Sequence, residues 1–596
     1  MKKINLIILV FLTLIVIYGC EAEKNDNTTD EVIIKVTVTF FIDDETDPPQ
    51  PVTVDYGSTL GELLPVAEKE KMVFLGWFTE EEIEFTAATA VVSDITIYAH
   101  FGDDPNRILI GIEIGTPIGE LLMGNFTGDV RDYSNYIIRN VYDNETKTVT
   151  NNYSAVIVSG NTLIAGNSVT VKFTSLENPE FDAQISTTVS KTLAKTGIPV
   201  IYIDTQNEAA ITSRVDYVYT NIKIVSEDPP YYLENKNFMD QIRGRGNSTW
   251  NYEKKPFRIR FNARTPLFGL TAQRNWILLA LAKDYTMLSG CLPYELGNRF
   301  DMEFVRHFFH VDVVLNDRYQ GHYVILEHNQ VNPGRLDIDP YSGYLVEFDT
   351  NQKADPNPFF RTATTNLPTY ISSPEGPPSG MDVSYEWVRD SINEFDRLLN
   401  SPVANFPFNN LKTLIDIDNF VDYFIVCEMT RNEELKHPKS IYMYKDAGKK
   451  IKMGPIWDFD WSMGLYERRT VDIPATGTGM NSPRGSITRN ATSLGNTNRF
   501  ARLNRDQEYI NKFKTRWNEK YQDILSMTDY IEEVYEKINV SVSLDMVRWP
   551  NPAPTGGLGG PTARLPYRQE VDKLKQWWSQ RAAWLNADIP TWTIHQ

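Results

Sequence analysis

Two aspartates, Asp458 and Asp460, stand in the segment Gly-Pro-Ile-Trp-Asp-Phe-Asp-Trp at 454–461. In an extended strand, the three aromatic side chains of this segment face a core, and both aspartates share the other side. Two such carboxylates lie roughly 7 Å apart, and they repel by roughly 2 to 3 kcal/mol at an effective dielectric of about 20. A divalent cation with oxygen ligands would offset this repulsion. The pattern predicts a metal site, with a solvated strand face ending in a turn at Gly464 as the open alternative.

The basic stretch 243–264 is the second candidate for chemistry. It has seven basic residues and one acid, Glu253, in a chain whose net charge is -19. In a protein this acidic, the basic stretch is the best candidate for binding a phosphate. Gly246 would let backbone N–H groups approach the anion. The other candidate donors of this loop are Arg245, Asn247, Ser248 and Thr249. An ordinary turn between two strands is the alternative.

Strand parity separates the two lysines that follow the loop. Lys255 shares a face with Phe257 and Ile259, whereas Lys254 lies on the face of Arg258. We therefore predict that Lys255 points inward and Lys254 outward. Protein kinases hold ATP phosphates with a loop and lysine of this kind, and a glutamate fixes the lysine. Glu295 is the candidate partner, with an unpaired surface carboxylate as the alternative.

A further carboxylate projects from an apolar helix stripe. Asp418 would cap a helix over 420–429, and on that helix Glu428 continues the stripe of Phe420 and Phe424. Burial of an unpaired carboxylate is costly, so Glu428 is either paired or functional.

Length and composition set the outer limits. A chain of 596 residues predicts about three or four domains. Hydrophobic residues make up 41% of it, which suffices for globular cores. The acidic net charge argues against nonspecific binding to nucleic acid or to anionic membranes. Apart from Cys20, only Cys291 and Cys427 are present, so we expect no disulfide framework.

The N-terminus has the form of a bacterial lipoprotein signal. Lys2 and Lys3 precede an apolar run at 6–17, and a Gly-Cys pair follows that ends at Cys20. We expect residues 1–20 to be a signal peptide, Cys20 to be acylated and 21–31 to be a polar linker. A plain transmembrane helix is the alternative. The expected location is extracytoplasmic, on the bacterial surface, with the lipid on Cys20 as membrane anchor.

Two strand-rich modules should follow the linker. Residues 32–102 resemble the Listeria-Bacteroides repeat of bacterial surface proteins, a β-grasp-like unit, in the motifs at 56–60, 74–78 and 93–101. We expect its Trp77 to be a core residue. Residues 104–190 contain short Val, Ile and Thr strands between turns and resemble a bacterial Ig-like β-sandwich. A spacer or adhesive role is expected, with a cell-surface ligand as partner.

The region 197–596 mixes strands and helices and contains all the candidate chemistry. It resembles the CotH family of spore-coat and surface proteins, which have an atypical protein-kinase-like α+β fold. The motifs that bear the resemblance occur in order at 243–250, 254–256, 275–279, 316–323, 343–349 and 454–460.

The CotH resemblance implies an activity. Family membership would mean transfer of the γ-phosphoryl group of ATP to Ser or Thr of a protein substrate, with Mg²⁺ or Mn²⁺ present. Asp458 would be the main metal ligand and Asp460 a second ligand or an orienting group. Arg245, Gly246, Asn247, Ser248, Lys255 and Glu295 would form the nucleotide side of the site.

Two positions depart from the family pattern. Many members have Arg-Asn where this chain has Ser289 and Gly290, and an aspartate where it has Glu434. If that aspartate positions the attacking hydroxyl, Glu434 must do so with one methylene more. Phosphoryl transfer depends on positioning, so this exchange affects activity.

Three functions remain open at this point. The leading hypothesis is a membrane-anchored CotH-like kinase, with Glu434, Asp458 and Asp460 as catalytic carboxylates. The second is a catalytically inactive CotH-like adhesin or structural protein. The third is a glycosidase, which ranks last because residues two apart flank a glycosidic bond poorly. The loops at 470–498 and 550–564 are either substrate lids or simple insertions.

Overall fold

The computed structural model describes most of the chain in two compact units. The described residues are 34–43, 45–115, 121–124, 136–350, 358–374, 385–436, 438–464, 482–489, 492–493, 496–497, 499–550 and 564–594. One unit lies within 1–113 and 138–151, and the other within 114–137 and 152–596. Cys20 and most of the two loops at 470–498 and 550–564 are outside the described residues. Within the described ranges, no helix is long and apolar enough to cross a bilayer.

The N-terminal part of the chain is built of short strands. In order they are β1 (Lys35–Phe41), β2 (Val52–Asp55), β3 (Met72–Phe78), β4 (Glu84–Phe85), β5 (Ile95–Asp103), β6 (Leu109–Ile114), β7 (Leu121–Met123), β8 (Ile138–Tyr142), β9 (Lys147–Val149), β10 (Tyr153–Ser159), β11 (Ser168–Ser175) and β12 (Asp182–Leu193). The first sheet has the order β2-β1-β5-β3-β4, with β1 and β5 parallel. Val38 and Trp77 are buried in its core, so the core prediction for Trp77 is confirmed.

The strands between 104 and 190 form two separate sheets. A three-stranded sheet has the order β6-β8-β9, and a four-stranded sheet has the order β10-β11-β12-β7. β8 and β9 belong to the first unit, whereas β10, β11 and β12 belong to the second. An Ig-like assignment for this stretch stays a prediction.

A closed barrel of seven strands opens the C-terminal region. Its members are β13 (Val200–Thr205), β14 (Val218–Glu227), β15 (Pro230–Gly244), β16 (Phe257–Thr265), β17 (Gln273–Leu279), β18 (Phe308–Leu315) and β19 (Arg318–Glu327). Alternate β-branched and aromatic residues such as Ile201, Ile259 and Trp276 fill its interior. β13 pairs in parallel with β18, and β18 and β19 form an antiparallel hairpin. Asn316 and Asp317 both adopt positive φ at the hairpin turn.

A mixed α/β region follows the barrel. Its strands are β20 (Tyr344–Phe348), β21 (Phe359–Arg361), β22 (Pro368–Ser373), β23 (Ile441–Lys445), β24 (Ile451–Met453), β25 (Thr492–Ser493) and β26 (Asn496–Thr497). The first five form a sheet of order β21-β22-β20-β23-β24. The helices of the chain are α1 (Leu292–Arg299), α2 (Tyr385–Leu399), α3 (Phe408–Leu414), α4 (Ile417–Thr430), α5 (Gln507–Leu525), α6 (Met527–Arg548) and α7 (Tyr567–Asp588).

Helix α4 is the centre of this region. It is buried along nearly its whole length and contacts α1, α5 and α7. Its N-cap is Asp416, whose side chain accepts from the Asn419 N–H at 3.2 Å, so the prediction that Asp418 caps the helix was wrong by half a turn. At the level of fold class, the prediction of a multidomain chain is confirmed. A strand-rich N-terminal region and a barrel are followed by a mixed α/β region.

Candidate active site

The aspartate segment leaves the sheet before the aspartates are reached. β24 ends at Met453, Gly454 has φ +120°, and Asp458 has φ +60°. Pro455 lacks the N–H that would continue the ladder, and the Gly454 conformation is one that glycine adopts at low cost. The predicted alternating strand is therefore wrong here. Of the three aromatic residues of the segment, only Phe459 is fully buried.

The two aspartates are closer than a strand would place them. Their side chains lie within hydrogen-bonding reach of each other. Burial, followed by the charge of Asp458 and this contact, raises the pKa of Asp460. Asp460 is nevertheless exposed to solvent. The acidic pair therefore lies where solvent reaches it.

Glu434 is the third carboxylate of this site. It is 7% exposed, and its Oε2 is buried and has no hydrogen-bond partner among the residues that the structure describes. Burial is the first cause that raises the pKa of Glu434, and the negative charges of Asp458 and Asp460 are the next. Asp349, at the end of β20, adds a smaller contribution of the same sign. Together these residues form an acidic cluster with an unsatisfied oxygen pointing into it.

The backbone after α4 places Glu434 in the cluster. α4 ends at Thr430, and its C-cap Arg431 adopts the left-handed conformation with φ 51°. The side chain of Asn432 then accepts from the Glu434 N–H at 3.0 Å, while its own Nδ2 is buried and unpartnered. The adjacent Glu433 faces the other way and pairs with Arg431 at 3.0 Å and Lys436 at 2.6 Å. Neighbouring glutamates thus have opposite surroundings.

Two guanidinium groups hold the aspartate segment from the barrel side. Arg306 donates to the Ile456 carbonyl at 2.7 Å and lies over the Trp457 ring at 4.2 Å from its centroid. Arg245, from the loop between β15 and β16, lies over the same ring at 5.4 Å. Burial lowers the pKa of Arg245, and the charge of Asp458 opposes that shift. The basic loop and the acidic segment therefore meet at one site.

A family model described as CotH kinase protein matches residues 242–585, which is more than half of the chain. The chain belongs to the CotH family. The CotH match begins just before the basic loop and includes all three carboxylates. A second model, the Listeria-Bacteroides repeat domain, matches residues 37–100, as predicted. No curated protein is significantly similar to this chain.

Within the CotH region, the prediction for the two lysines was wrong. Lys254 is fully buried, pairs with Asp545 at 2.5 Å and donates to the His322 carbonyl at 2.6 Å. Lys255 is half-buried and donates to the carbonyls of Trp250 and Tyr252. The error has a physical cause, since β16 begins only at Phe257 and strand parity does not extend back through a turn.

The expected glutamate partner of Lys255 pairs elsewhere. Glu295 lies in α1, where it accepts from Arg299 at 2.8 Å, one helical turn away. Arg299 in turn donates to Ser526 at 2.6 Å. Glu295 thus ties α1 to the junction of α5 and α6, and the predicted Lys255–Glu295 pair is not formed among the described residues.

The two glycines of the basic loop leave room for side chains of the same loop. A Cβ on Gly246 would lie 2.2 Å from the Thr249 hydroxyl, and one on Gly244 would lie 2.3 Å from the Trp250 ring. The Gly246 carbonyl accepts from Arg214 at 2.7 Å. Asn247 and Ser248 are exposed at the loop surface. Their predicted contact with phosphate stays a prediction.

Glu428 has the structural role that was one of its two predicted alternatives. It is fully buried and pairs with Arg581 of α7 at 2.7 Å. It also accepts from Ile487 N–H at 3.0 Å and from Thr488 N–H at 2.8 Å and hydroxyl at 2.6 Å. The carboxylate is therefore satisfied and joins α4, α7 and the segment 482–489.

Sequence reasoning missed Arg306, Lys283 and Asp349. Arg306 stands in the apolar run 304–309, and a charge inside such a run needs a partner, which was the available signal. Asp349 ends the motif at 343–349, which gave no reason to single it out. Lys283 follows the β17 strand in a turn, and its charge acts on Asp460. Nothing in the local pattern marked it.

The donor set fits a hard divalent cation. The cluster offers carboxylate oxygens and the unpartnered Glu434 Oε2, which are the ligand types that Mg²⁺ and Mn²⁺ prefer. Among the described residues, no three His, Cys, Asp or Glu side chains are already arranged as a metal site. Mg²⁺ bound here would take further ligands from water and phosphate, as it does in nucleotide sites.

Proposed function

We propose that the CotH region is a phosphotransferase that moves the γ-phosphoryl group of ATP to a Ser or Thr hydroxyl of a protein. The observation that supports this most is the acidic cluster of Glu434, Asp458 and Asp460 beside the basic loop. Like charges crowded together, one of them with a buried unpartnered oxygen, are unfavourable unless a ligand completes the site.

In this proposal Asp458 and Asp460 hold Mg²⁺ or Mn²⁺. A cation bound there would neutralise charge on the phosphates of ATP during transfer. Contacts of the neighbouring residues in the segment position the two aspartates. Arg306 fixes Ile456 and Trp457, and the buried Phe459 fixes the turn from the core side.

Glu434 is the proposed proton acceptor. The hydroxyl oxygen of the substrate attacks phosphorus, the bond from phosphorus to the ADP oxygen breaks, and the hydroxyl proton passes to the Glu434 carboxylate. Burial and the charges of the two aspartates raise the pKa of Glu434, and a cation on the aspartates would offset their charge, so that Glu434 ionises and can accept the proton. The hydrogen bond between Asn432 and the Glu434 backbone orients this side chain.

The other departure from the family pattern is part of a local network. Ser289 is buried, and its hydroxyl donates to Asp284 at 3.1 Å. Asp284 also accepts from Thr286 at 2.6 Å, so the turn before α1 has its own internal support. We infer that Ser289 keeps this turn rigid without the Arg-Asn pair of other family members.

The wider setting belongs to the same proposal. A kinase-like arrangement, with the barrel and the mixed α/β region on either side of the nucleotide, accords with the position of the acidic cluster. An Ig-like module and the Listeria-Bacteroides repeat would act as spacers or bind a surface ligand. Acylation at Cys20 would anchor the chain outside the cytoplasm.

The test is phosphate incorporation. The full-length chain is incubated with labelled ATP, Mg²⁺ or Mn²⁺ and a casein-like acceptor, and incorporation into Ser or Thr is measured. The proposal expects incorporation that requires the metal and is lost in Asp458→Ala. Equal incorporation in the variant, or no nucleotide-dependent thermal shift of the wild type, would overturn it.

A catalytically inactive surface adhesin or structural protein is the second candidate. The observation that favours it is that groups of the basic loop already make contacts within the protein. Lys255 donates to two carbonyls, and the Gly246 carbonyl accepts from Arg214. This candidate would be selected if the wild type and Glu434→Asp both bind ATP and neither transfers phosphate to the acceptor protein.

A further inference from the structure

The first sheet of the chain has one face on a hydrophobic core and one face open to solvent. Val36 and Val38 of β1 and Ile97 of β5 are buried in the core. Successive side chains of a strand point to opposite faces, so the alternate residues of β1 and β5 lie on the open face. The phosphotransferase proposal assigns no role to this face of the Listeria-Bacteroides repeat.

Three aromatic side chains form a row across the open face. Phe41 of β1 pairs with Tyr98 of β5, and Tyr98 pairs with Phe78 of β3. The ring centres of Phe41 and Tyr98 lie 5.5 Å apart, and Phe41 is 38% exposed. Neighbouring strands are about 4.8 Å apart, so the row extends for about 10 Å. It offers apolar contact area to a ligand on an otherwise polar face.

Gly76 gives the ring of Phe78 its position. It pairs with His100 on β5 and has φ +148°, a conformation that glycine adopts at low cost. A Cβ at this position would lie 3.4 Å from the Phe78 ring. In the space that the glycine leaves, the Phe78 ring stacks on His100 with 4.1 Å between the ring centres. The aromatic row therefore continues from Phe78 to His100.

Threonine hydroxyls lie beside the aromatic row. Thr37 of β1 pairs with Thr53 of β2, and Thr39 of β1 pairs with Thr96 of β5. Thr39 and Thr96 each precede the row by two residues, about 7 Å along the strand. The hydroxyl oxygens of Thr37 and Thr53 are 3.2 Å apart. Because a hydroxyl both donates and accepts a hydrogen bond, this part of the face can pair with either kind of polar group.

A shallow cavity of about 370 Å³ lies among these threonines. It is lined by Thr37, Thr39, Asp94, Ile95 and Thr96. Asp94 is exposed, and its Oδ1 accepts from the Thr37 N–H at 2.7 Å. Its Oδ2 accepts no hydrogen bond from the described residues, so this oxygen is available to a hydroxyl group of a ligand.

Charge and strand order restrict the kind of ligand. Lys35, at the edge of the face, pairs with Asp55 at 3.0 Å, so Asp94 gives the cavity a negative charge that would repel an anionic polymer. β1 and β5 are interior strands in the order β2-β1-β5-β3-β4, so their backbone cannot pair with an added peptide strand. A neutral ligand with hydroxyl groups meets both conditions.

We infer that the open face binds a neutral polysaccharide of β-1,4-linked hexopyranoses. Such a sugar ring has axial C–H groups that pack on aromatic rings, and a rim of hydroxyl groups that pair with threonines and a carboxylate. A β-1,4-linked chain is an extended ribbon, so successive sugars can contact the aromatic row and the cavity together. A coiled α-1,4-linked chain would turn away from the sheet. The inference goes beyond the phosphotransferase proposed for the CotH region and does not depend on it.

Calorimetric titration of the full-length chain tests the inference, with cellohexaose and chitohexaose as the probes. Tyr98→Ala should weaken binding at least tenfold, because the central ring of the aromatic row is lost. Thr96→Val keeps the shape of the side chain and should weaken binding about three- to tenfold through the loss of one hydroxyl. Tyr98→Phe keeps the ring and should retain most of the affinity. Saturation-transfer NMR should show the ring C–H protons of the sugars in contact with the protein.

Tyr219→Ala is the matched control. Tyr219 is 50% exposed on β14, so the same ring is removed from a strand outside the first sheet, and binding should be unchanged. Maltohexaose and a heparin hexasaccharide should bind the wild type at least tenfold more weakly than the two β-linked probes. The midpoint of thermal unfolding is measured for every variant. If Tyr98→Ala lowers it, Thr96→Val and Tyr98→Phe decide the result.

Binding of either β-linked probe that weakens in Tyr98→Ala and Thr96→Val supports the inference. It is overturned if neither probe binds the wild type, if both variants bind as tightly as the wild type, or if maltohexaose or heparin binds equally well. A dimer of the wild type that Tyr98→Ala dissociates, without sugar binding, would assign the face to a second copy of the chain instead. Phosphate incorporation by Tyr98→Ala should equal that of the wild type, so each proposal can fail without the other.

Discussion

Glu428 and Glu434 are both buried carboxylates at the C-terminal end of α4, and they differ in what surrounds them. Glu428 has the guanidinium of Arg581 at 2.7 Å and hydrogen bonds from Ile487 and Thr488. Glu434 has two aspartates nearby and an Oε2 with no partner. The same residue type at similar burial is stabilised in one place and destabilised in the other.

This difference separates structural from functional burial. A buried carboxylate with a paired cation contributes to the fold, and removal of either partner leaves an uncompensated charge. A buried carboxylate among like charges costs stability in the free protein, so something other than the fold must maintain it. Glu428, Asp545 and Glu433 belong to the first group, and the acidic cluster belongs to the second.

The largest expected effect is on the acidic cluster. Asp458→Ala should lower phosphate incorporation by roughly 10³-fold or more, because positioned charge supplies most of the catalysis in phosphoryl transfer. The same change should leave the free energy of unfolding unchanged or raise it, since a like charge is removed. Asp390→Ala, an exposed aspartate on α2, is the control. A variant that is both inactive and unstable would place Asp458 with the structural carboxylates instead.

Arg581→Met tests the structural group. It leaves Glu428 buried without its cation and should lower the free energy of unfolding by about 4 to 5 kcal/mol. Arg397→Met removes an exposed pair with Glu394 on α2 and should cost about 1 kcal/mol or less. Denaturant unfolding of both variants gives the comparison. Similar losses in the two variants would contradict the role assigned to Glu428.

The two loop lysines provide a matched pair. Lys254→Met should cost about 3 to 4 kcal/mol, because Asp545 loses its closest cation. The loss should be smaller than for Arg581, since Arg581 also donates to the carbonyls of Pro483 and Gly485. Lys255→Met should cost about 1 kcal/mol or less. Thermal and denaturant unfolding measure both, and the reverse order would restore the strand-parity prediction.

Asp312 gives a pH-dependent test of an intermediate case. It is buried with hydrogen bonds from Thr196, Tyr319 and Ser541, and no cation pairs with it in the described part of the chain. Burial raises its pKa to about 6, an effect that the negative charge of Asp545 supports and the three hydrogen bonds oppose. Hydroxyl donors therefore do not replace a counter-ion.

The sign of the effect follows from that shift. Below about pH 4 the carboxyl group is protonated in both the folded and the unfolded chain and contributes nothing. As the pH rises to about 6, ionisation costs more in the folded chain, and stability falls by roughly 3 kcal/mol. Asp312→Asn should lack this fall, which denaturant unfolding between pH 4 and 7 would measure. Parallel curves for the two proteins would contradict the raised pKa.

Sequence patterns located the parts of this site more reliably than their contacts. The ordered motifs identified the CotH region, and periodicity placed the helix that contains Glu428. Long-range pairings were out of reach. Glu428 and Arg581 are far apart in the chain, as are Lys254 and Asp545, and no local period indicates which distant residue neutralises a charge.

Two further predictions were wrong for one shared reason, the local backbone geometry. Strand parity was applied to residues 254–255, which precede β16, and to 457–461, which follow β24, so neither segment is part of a strand. Proline stands beside each of these segments, as Pro256 and Pro455, and it could have signalled the break. Arg306 was detectable as a charge in an apolar run, whereas Lys283 depends on a turn whose direction only the fold determines.

Calorimetric titration of Mg·ATP into the full-length wild type and Asp458→Ala tests the central claim most directly. The account predicts metal-dependent binding by the wild type and at least a tenfold weaker binding by the variant, with unfolding midpoints that are no lower for the variant. Absence of binding to the wild type, or equal affinity in both proteins, would contradict the claim that the acidic cluster is maintained for a metal and a nucleotide.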